Sequence, residues 1–278
     1  MLRTQEIKGD IKAMNIININ STIEITHSQK SFIEEVLFCG DDHYMIEEDS
    51  FYWLSKEIPI FLLNEESMKK NELESEYRYE LNHETKPHTE WLGFYGRDSS
   101  GLFEHTPRIA ICPERIANCV QDDEEFMFLL AKVIVHEFAH AKMDYRDENT
   151  KYRKKDDFWH WMEESMANQL TLEVFREFTQ GFRHGRSHQS SAFKNHSWED
   201  ELFDFIVNFI KKQPPEYALG YELFDKRIRQ WWIWSSHKDE LGGQKRIHEK
   251  NNWLNYIKKN YNNIDEELSE KLYDDLFR

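Results

Sequence analysis

The residues best suited to chemistry are two histidines and a glutamate in residues 133–141, which read V-I-V-H-E-F-A-H-A. His136 and His140 are four positions apart, so in an α-helix they lie one turn apart on the same face. Their imidazoles can then bind one divalent cation, most plausibly zinc, at about 2.0–2.1 Å from each nitrogen. Glu137 lies one position further round the helix. It would reach a water on the cation, which is where a general base is needed.

The surroundings of this H-E-x-x-H motif favour a metal site over a chance match. Composition alone would produce the motif in roughly a few per cent of chains this rich in His and Glu. Here the polar residues interrupt a strongly apolar helix, with Val-Ile-Val before them and Ala141 after them. Two imidazoles and a carboxylate are costly to bury unless they are paired or bind a metal.

The motif resembles that of the zincin metallopeptidases. After His140 the chain continues Ala141, Lys142, Met143, without the extended H-E-x-x-H-x-x-G-x-x-H of the metzincin branch. The resemblance is therefore to the gluzincin branch, which includes thermolysin and takes its third ligand from a glutamate on a following helix. It covers residues 126–175.

The resemblance implies a third ligand within residues 161–168, which read W-M-E-E-S-M-A-N. The gluzincin pattern has a glutamate followed four residues later by Asp or Asn, with a small residue between. It implies Glu164 as the ligand and Asn168 as a hydrogen-bond partner of a ligand histidine. Helical amphipathicity favours the other carboxylate, because the apolar positions 162, 166, 170 and 174 centre nearer Glu163. We prefer Glu164 on the motif match and keep Glu163 as the alternative.

The developing oxyanion needs a donor from outside the helix pair. Candidates are Tyr217, Tyr221 and the loop of residues 181–196, which contains Arg183, His184 and His188. Tyr217 is the first choice, because the prolines at 214 and 215 can aim it back at the cleft.

The elements that must position these residues follow from local patterns. Strands are expected within residues 14–25, 51–63, 91–95 and 101–112, and Pro107 suggests that the last of them is irregular or lies at an edge. By analogy with zincins, residues 102–112 would supply the edge strand that pairs with extended substrate. Helices are expected at residues 126–143, 158–178 and 198–212.

These elements predict an α+β fold, with a small mixed or antiparallel N-terminal sheet packed on a mainly helical, zincin-like core with extra C-terminal helices. The expected divisions are an N-terminal mixed region (1–85), the metallopeptidase core (86–180) and a helical C-terminal region (181–278), or one continuous domain.

Composition excludes several function classes. The 278 residues carry a net charge of −16, which disfavours binding to nucleic acid or to anionic membranes through a basic surface. The three cysteines have no C-x-x-C spacing, so neither a disulfide framework nor a Cys-rich zinc module is indicated. No signal-peptide pattern or membrane span is recognised, and a cytoplasmic location is expected.

The sequence therefore predicts a zinc-dependent metallopeptidase with Glu137 as general base and a protein or peptide as substrate. A narrow-specificity endopeptidase is favoured, since an open protease cleft would be hazardous in the cytosol, and a regulatory protein partner is left open. The alternatives are a non-proteolytic metal hydrolase and an interaction protein with a structural metal site.

Overall fold

The structure, a computed structural model, describes residues 14–39, 50–74, 91–96, 107–146, 157–183, 198–213 and 215–225. Its strands are β1 (Ile16–Asn18), β2 (Ile60–Leu62), β3 (Gly93–Gly96) and β4 (Arg108–Ile111). Its helices are α1 (His27–Cys39), α2 (Phe51–Glu57), α3 (Glu65–Glu74), α4 (Pro113–Ala117), α5 (Asp123–Arg146), α6 (Asp157–Arg183), α7 (Trp198–Lys212) and α8 (Pro215–Asp225). The predicted α+β class with mainly helical content is confirmed.

The strands form a mixed sheet in the order β1-β2-β4-β3. β1, β2 and β4 run parallel, and β3 pairs antiparallel with β4. The expectation that residues 102–112 form an edge strand is wrong, because β4 is an inner strand and β3 ends the described sheet. Pro107 is tolerated because it lies just before the first residue of β4, where its missing N–H removes no hydrogen bond from the strand.

The inner strands are buried on both faces, as parallel strands usually are. Ile60 and Ile109 belong to the main core, which includes residues from Met14 to Ile210. Their neighbours Phe61 and Ala110 lie in a smaller cluster on the other face. One core thus contains side chains from both sides of position 85, and the proposed division into three regions stays a prediction.

The expected short strand within residues 51–63 is β2, and the strand within residues 14–25 is the three-residue β1; local side-chain bonds explain why the rest of each segment is not strand. Within residues 51–63 the first half is α2, because the Ser50 hydroxyl accepts the N–H of Trp53 at 3.0 Å and caps a helix. In residues 14–25 only β1 is extended. The Asn18 side chain accepts the N–H of Ser21 at 2.9 Å and turns the chain.

The three predicted helices are confirmed as α5, α6 and α7, with small differences at their ends. α5 begins at Asp123 because the Asp122 carboxylate accepts the N–H groups of Glu124 and Glu125 at 3.0 and 2.9 Å. Within the described ranges, no helix combines the length and apolar character that crossing a membrane requires.

Candidate metal centre

Facing helices α5 and α6 build the site. His136 and His140 lie on one face of α5 and are 5% and 7% exposed. Glu164 extends from α6, and its carboxylate lies 3.0 Å from Nε2 of His136 and 3.4 Å from Nε2 of His140. The structure therefore brings together the histidines and the preferred third residue of the sequence analysis. The side chain of Glu163 lies outside the described residues.

The spacing of these atoms suits a tetrahedral cation. The two Nε2 atoms are 3.2 Å apart, so the triangle they form with the Glu164 oxygen has sides of 3.0, 3.2 and 3.4 Å. Ligands about 2.0–2.1 Å from a tetrahedral ion are about 3.3–3.4 Å from one another. Two imidazole nitrogens and one carboxylate oxygen, with a fourth position left for water, are the donor set of a catalytic zinc site.

The charges of the site favour cation binding. Burial, assisted by the positive charge of Lys132, lowers the pKa of His136 to about 3, so its imidazole is neutral at pH 7 and has a lone pair to offer. Burial alone would raise the pKa of Glu164, but His140 and His136 outweigh it and hold that pKa well below its usual range. Glu164 is therefore the anionic member of the group.

Glu137 lies beside this group and is 5% exposed. Burial raises its pKa to about 7, while His140, Lys132 and the backbone N–H of Tyr95 act in the opposite direction. A carboxyl group with that pKa can accept and return a proton at neutral pH, which suits it to general base catalysis.

Strand β3 packs closely against α5 on the side of Glu137. A Cβ at Gly93 would lie only 2.8 Å from Cγ1 of Val133 and 2.7 Å from Cδ1 of Ile111, so the approach depends on glycine at that position. Two residues on, Tyr95 directs its N–H towards Glu137, one helical turn after Val133. The edge strand and the candidate base are thus adjacent.

The structure separates the two tyrosines that the sequence left open. The ring centroid of Tyr217 lies 6.0 Å from that of His136. Tyr221, one turn later on α8, lies instead against Lys211, whose Nζ is 3.9 Å from the centroid of the Tyr221 ring. Tyr217 is therefore the tyrosine beside the metal group. His184 and His188 lie outside the described residues, as does the side chain of Arg183.

Asn168 does not hydrogen-bond a ligand histidine, and this part of the expectation is wrong. Its amide Nδ2 donates to the main-chain oxygen of Tyr217 at 3.3 Å. Its Oδ1 and the Nδ1 of His136 are both buried and make no hydrogen bond with the described residues. The reason is the close approach of α8: its main-chain oxygen at Tyr217 accepts the hydrogen bond of the Asn168 amide, which the motif had assigned to a ligand histidine.

The sequence analysis missed Lys132, which is 3% exposed in the interior of α5. It lies four residues before His136 and therefore one turn away on the same helical face. That spacing was the available signal, because a lysine within an apolar stretch of helix, one turn from a candidate ligand, requires an explanation.

No family model, curated protein or solved structure was found to match this chain.

Proposed function

We propose that this protein is a zinc-dependent metallopeptidase, similar in its site to the gluzincins, and that it cleaves internal peptide bonds with narrow specificity. The observation that carries the proposal is the triangle of His136, His140 and Glu164 atoms beside the buried carboxylate of Glu137. A structural metal site would not need the Glu137 carboxylate. The presence of Glu137 beside the three ligands favours an enzyme.

The metal would be held by Nε2 of His136, Nε2 of His140 and the Glu164 carboxylate. When bound, zinc makes a water more acidic and polarises the carbonyl under attack. Glu137 accepts the proton of the attacking water and passes it to the leaving amine. Tyr217, beside His136, is the candidate to donate a hydrogen bond to the developing oxyanion.

The position of β3 favours a peptide over another amide or ester. Phe94 pairs with Ala110, and the main-chain oxygen of Leu92 accepts the N–H of Cys112 at 2.9 Å. The alternate residues, Gly93 and Tyr95, therefore direct their main-chain groups away from β4. A substrate peptide running along this end of the described sheet would lie beside Glu137, whose carboxylate already accepts the Tyr95 N–H.

The test is a Glu137→Gln variant, which keeps the shape of the side chain but cannot accept the proton. We expect it to retain zinc, measured by metal analysis of the purified protein, and to lose at least about 100-fold in cleavage of a mixed peptide library followed by mass spectrometry. Glu177→Gln, at an exposed position on α6, is the matched control and should behave as the wild type.

Three results would contradict the proposal. Equal cleavage by Glu137→Gln and wild type would remove Glu137 from the mechanism. Hydrolysis of small esters or amides without any peptide cleavage would favour a non-proteolytic hydrolase. Stoichiometric zinc without hydrolysis of either kind would favour a structural metal site in an interaction protein.

A further inference from the structure

Lys132 is a buried charge that the proposed reaction does not use. Its side chain starts one turn before His136 on the face of α5 that carries the metal group, and the residue is 3% exposed. A buried ammonium group is stable only when it is paired or well hydrogen-bonded, because leaving water is costly for a charge. The groups around the Lys132 ammonium therefore show how its charge is stabilised.

Within the part of the chain that the structure describes, the short-range contacts of this ammonium are with neutral groups. It donates to the side-chain oxygen of Gln213 at 3.5 Å, which is long for a hydrogen bond, and lies 5.7 Å from the ring centroid of Phe209. An ammonium carries three donors, so these contacts satisfy it poorly. Opposite charge is supplied at longer range by the carboxylates of Glu137 and Glu164.

Lys132 is mainly charged at neutral pH. Burial lowers its pKa to about 8, and Glu137 and Glu164 oppose that shift. The site therefore combines two carboxylates with one fixed positive charge that is not a metal ligand.

We propose that Lys132 is the counter-charge of the candidate metal site, which stabilises the two buried carboxylates when no cation is bound and opposes the binding of a divalent cation. This inference rests on the proposed metal site. Like charges repel strongly at low effective dielectric, and Lys132 is buried one helical turn before the ligand His136. The site consequently releases its ion more readily than its three ligands alone would dictate, so metal supply can regulate the protein.

The test is zinc affinity of the full chain, measured by competition with a chromophoric chelator at pH 6.5, where Lys132, with its pKa lowered to about 8, is almost fully protonated. Lys132→Met keeps the length of the side chain and removes its charge. We expect it to bind zinc at least about tenfold more tightly than the wild type does. Lys142→Met is the matched control: Lys142 lies on the same helix but packs over the Phe51 ring at 4.8 Å, and its loss should change affinity less than about twofold.

A second variant leaves Lys132 in place. Gln213→Glu puts a carboxylate beside the ammonium, neutralises it locally and should also tighten zinc binding. It tests the proposal even if Lys132→Met does not fold.

The possible failures can be told apart. Unchanged zinc affinity in both Lys132→Met and Gln213→Glu would overturn the role of Lys132 and leave the metal site standing. An equal gain in zinc affinity in the Lys142→Met control would show that affinity follows the total charge of the protein. That result would also overturn the specific role of Lys132. Absence of zinc binding by the wild type would overturn the metal site itself, and this inference with it.

Discussion

At the scale of single residues, the main feature of the site is that three electron-pair donors meet within a small buried space. The Nε2 atoms of His136 and His140 and an oxygen of Glu164 all lie within 3.4 Å of one another. Acceptor atoms repel at such distances unless a proton or a cation lies among them. The pKa of His136 is lowered to about 3, so its imidazole is neutral at pH 7, and in the tautomer with the proton on Nδ1 its Nε2 can bind a cation.

The choice between the two adjacent glutamates of α6 can be tested directly. Glu164→Ala should reduce bound zinc to a small fraction of one ion per chain, because it removes the anionic ligand. Glu163→Ala, its neighbour, should keep full zinc content. Metal analysis after dialysis measures both variants, and equal zinc in the two would exclude Glu164 as the third ligand.

The tyrosines of α8 provide a second test at this scale. Tyr217→Phe removes the hydroxyl of the ring beside His136 and should lower kcat roughly 100-fold with little change in KM, as loss of an oxyanion donor does. Tyr221→Phe serves as the control because Lys211 covers that ring. A kcat for Tyr217→Phe equal to that of the control would show that the donor is another residue.

At the scale of elements, the site depends on how closely α8 approaches α6. Gly220 of α8 lies against the turn of α6 that follows Glu164. A Cβ there would come within 2.5 Å of the Ser165 main-chain oxygen and 2.6 Å of Cβ of Asn168. The same contact lets Asn168 donate to the main chain of Tyr217. Helix packing therefore places Tyr217 beside the metal group.

Gly220→Ala should separate these helices. Because the facing atoms belong to the backbone or to Cβ, they cannot rotate away, and we expect unfolding free energy to fall by about 1–3 kcal/mol. Urea denaturation measures this change. Gly96→Ala should cost less, since its new Cβ would meet only the end of the Arg108 side chain at 3.0–3.3 Å. Similar losses in the two variants would argue against tight packing at Gly220.

At the scale of the whole molecule, a bound ion would link two consecutive helices of the main core. Two ligands lie on α5 and one on α6, and both helices contribute to the main hydrophobic core. An ion that binds the folded chain alone stabilises it by mass action, by about 4 kcal/mol when present at 1,000 times its Kd. The metal would therefore contribute to the stability of the fold as well as to its chemistry.

Removal of the metal should accordingly lower Tm. For a chain of this size we expect a decrease of roughly 10 °C when EDTA replaces saturating zinc in a thermal denaturation experiment. Glu164→Ala should show almost no response to EDTA. A wild-type Tm that is insensitive to the chelator would contradict a metal shared between α5 and α6.

The sequence by itself determined the parts of this protein that depend on neighbouring positions. The H-E-x-x-H helix, the bounds of α7 and the α+β class all follow from local periodicity, since four residues make one helical turn whatever surrounds them. The prediction of Glu164 needed a family pattern as well, because amphipathicity pointed to Glu163.

Only the tertiary structure decided which distant groups meet. It places β3 rather than β4 at the end of the described sheet, because strand order depends on long-range pairing. It also brings Tyr217 to His136 and turns Asn168 towards α8. The last two contacts join residues about 50 to 80 positions apart along the chain, where no local repeat constrains the distance between side chains.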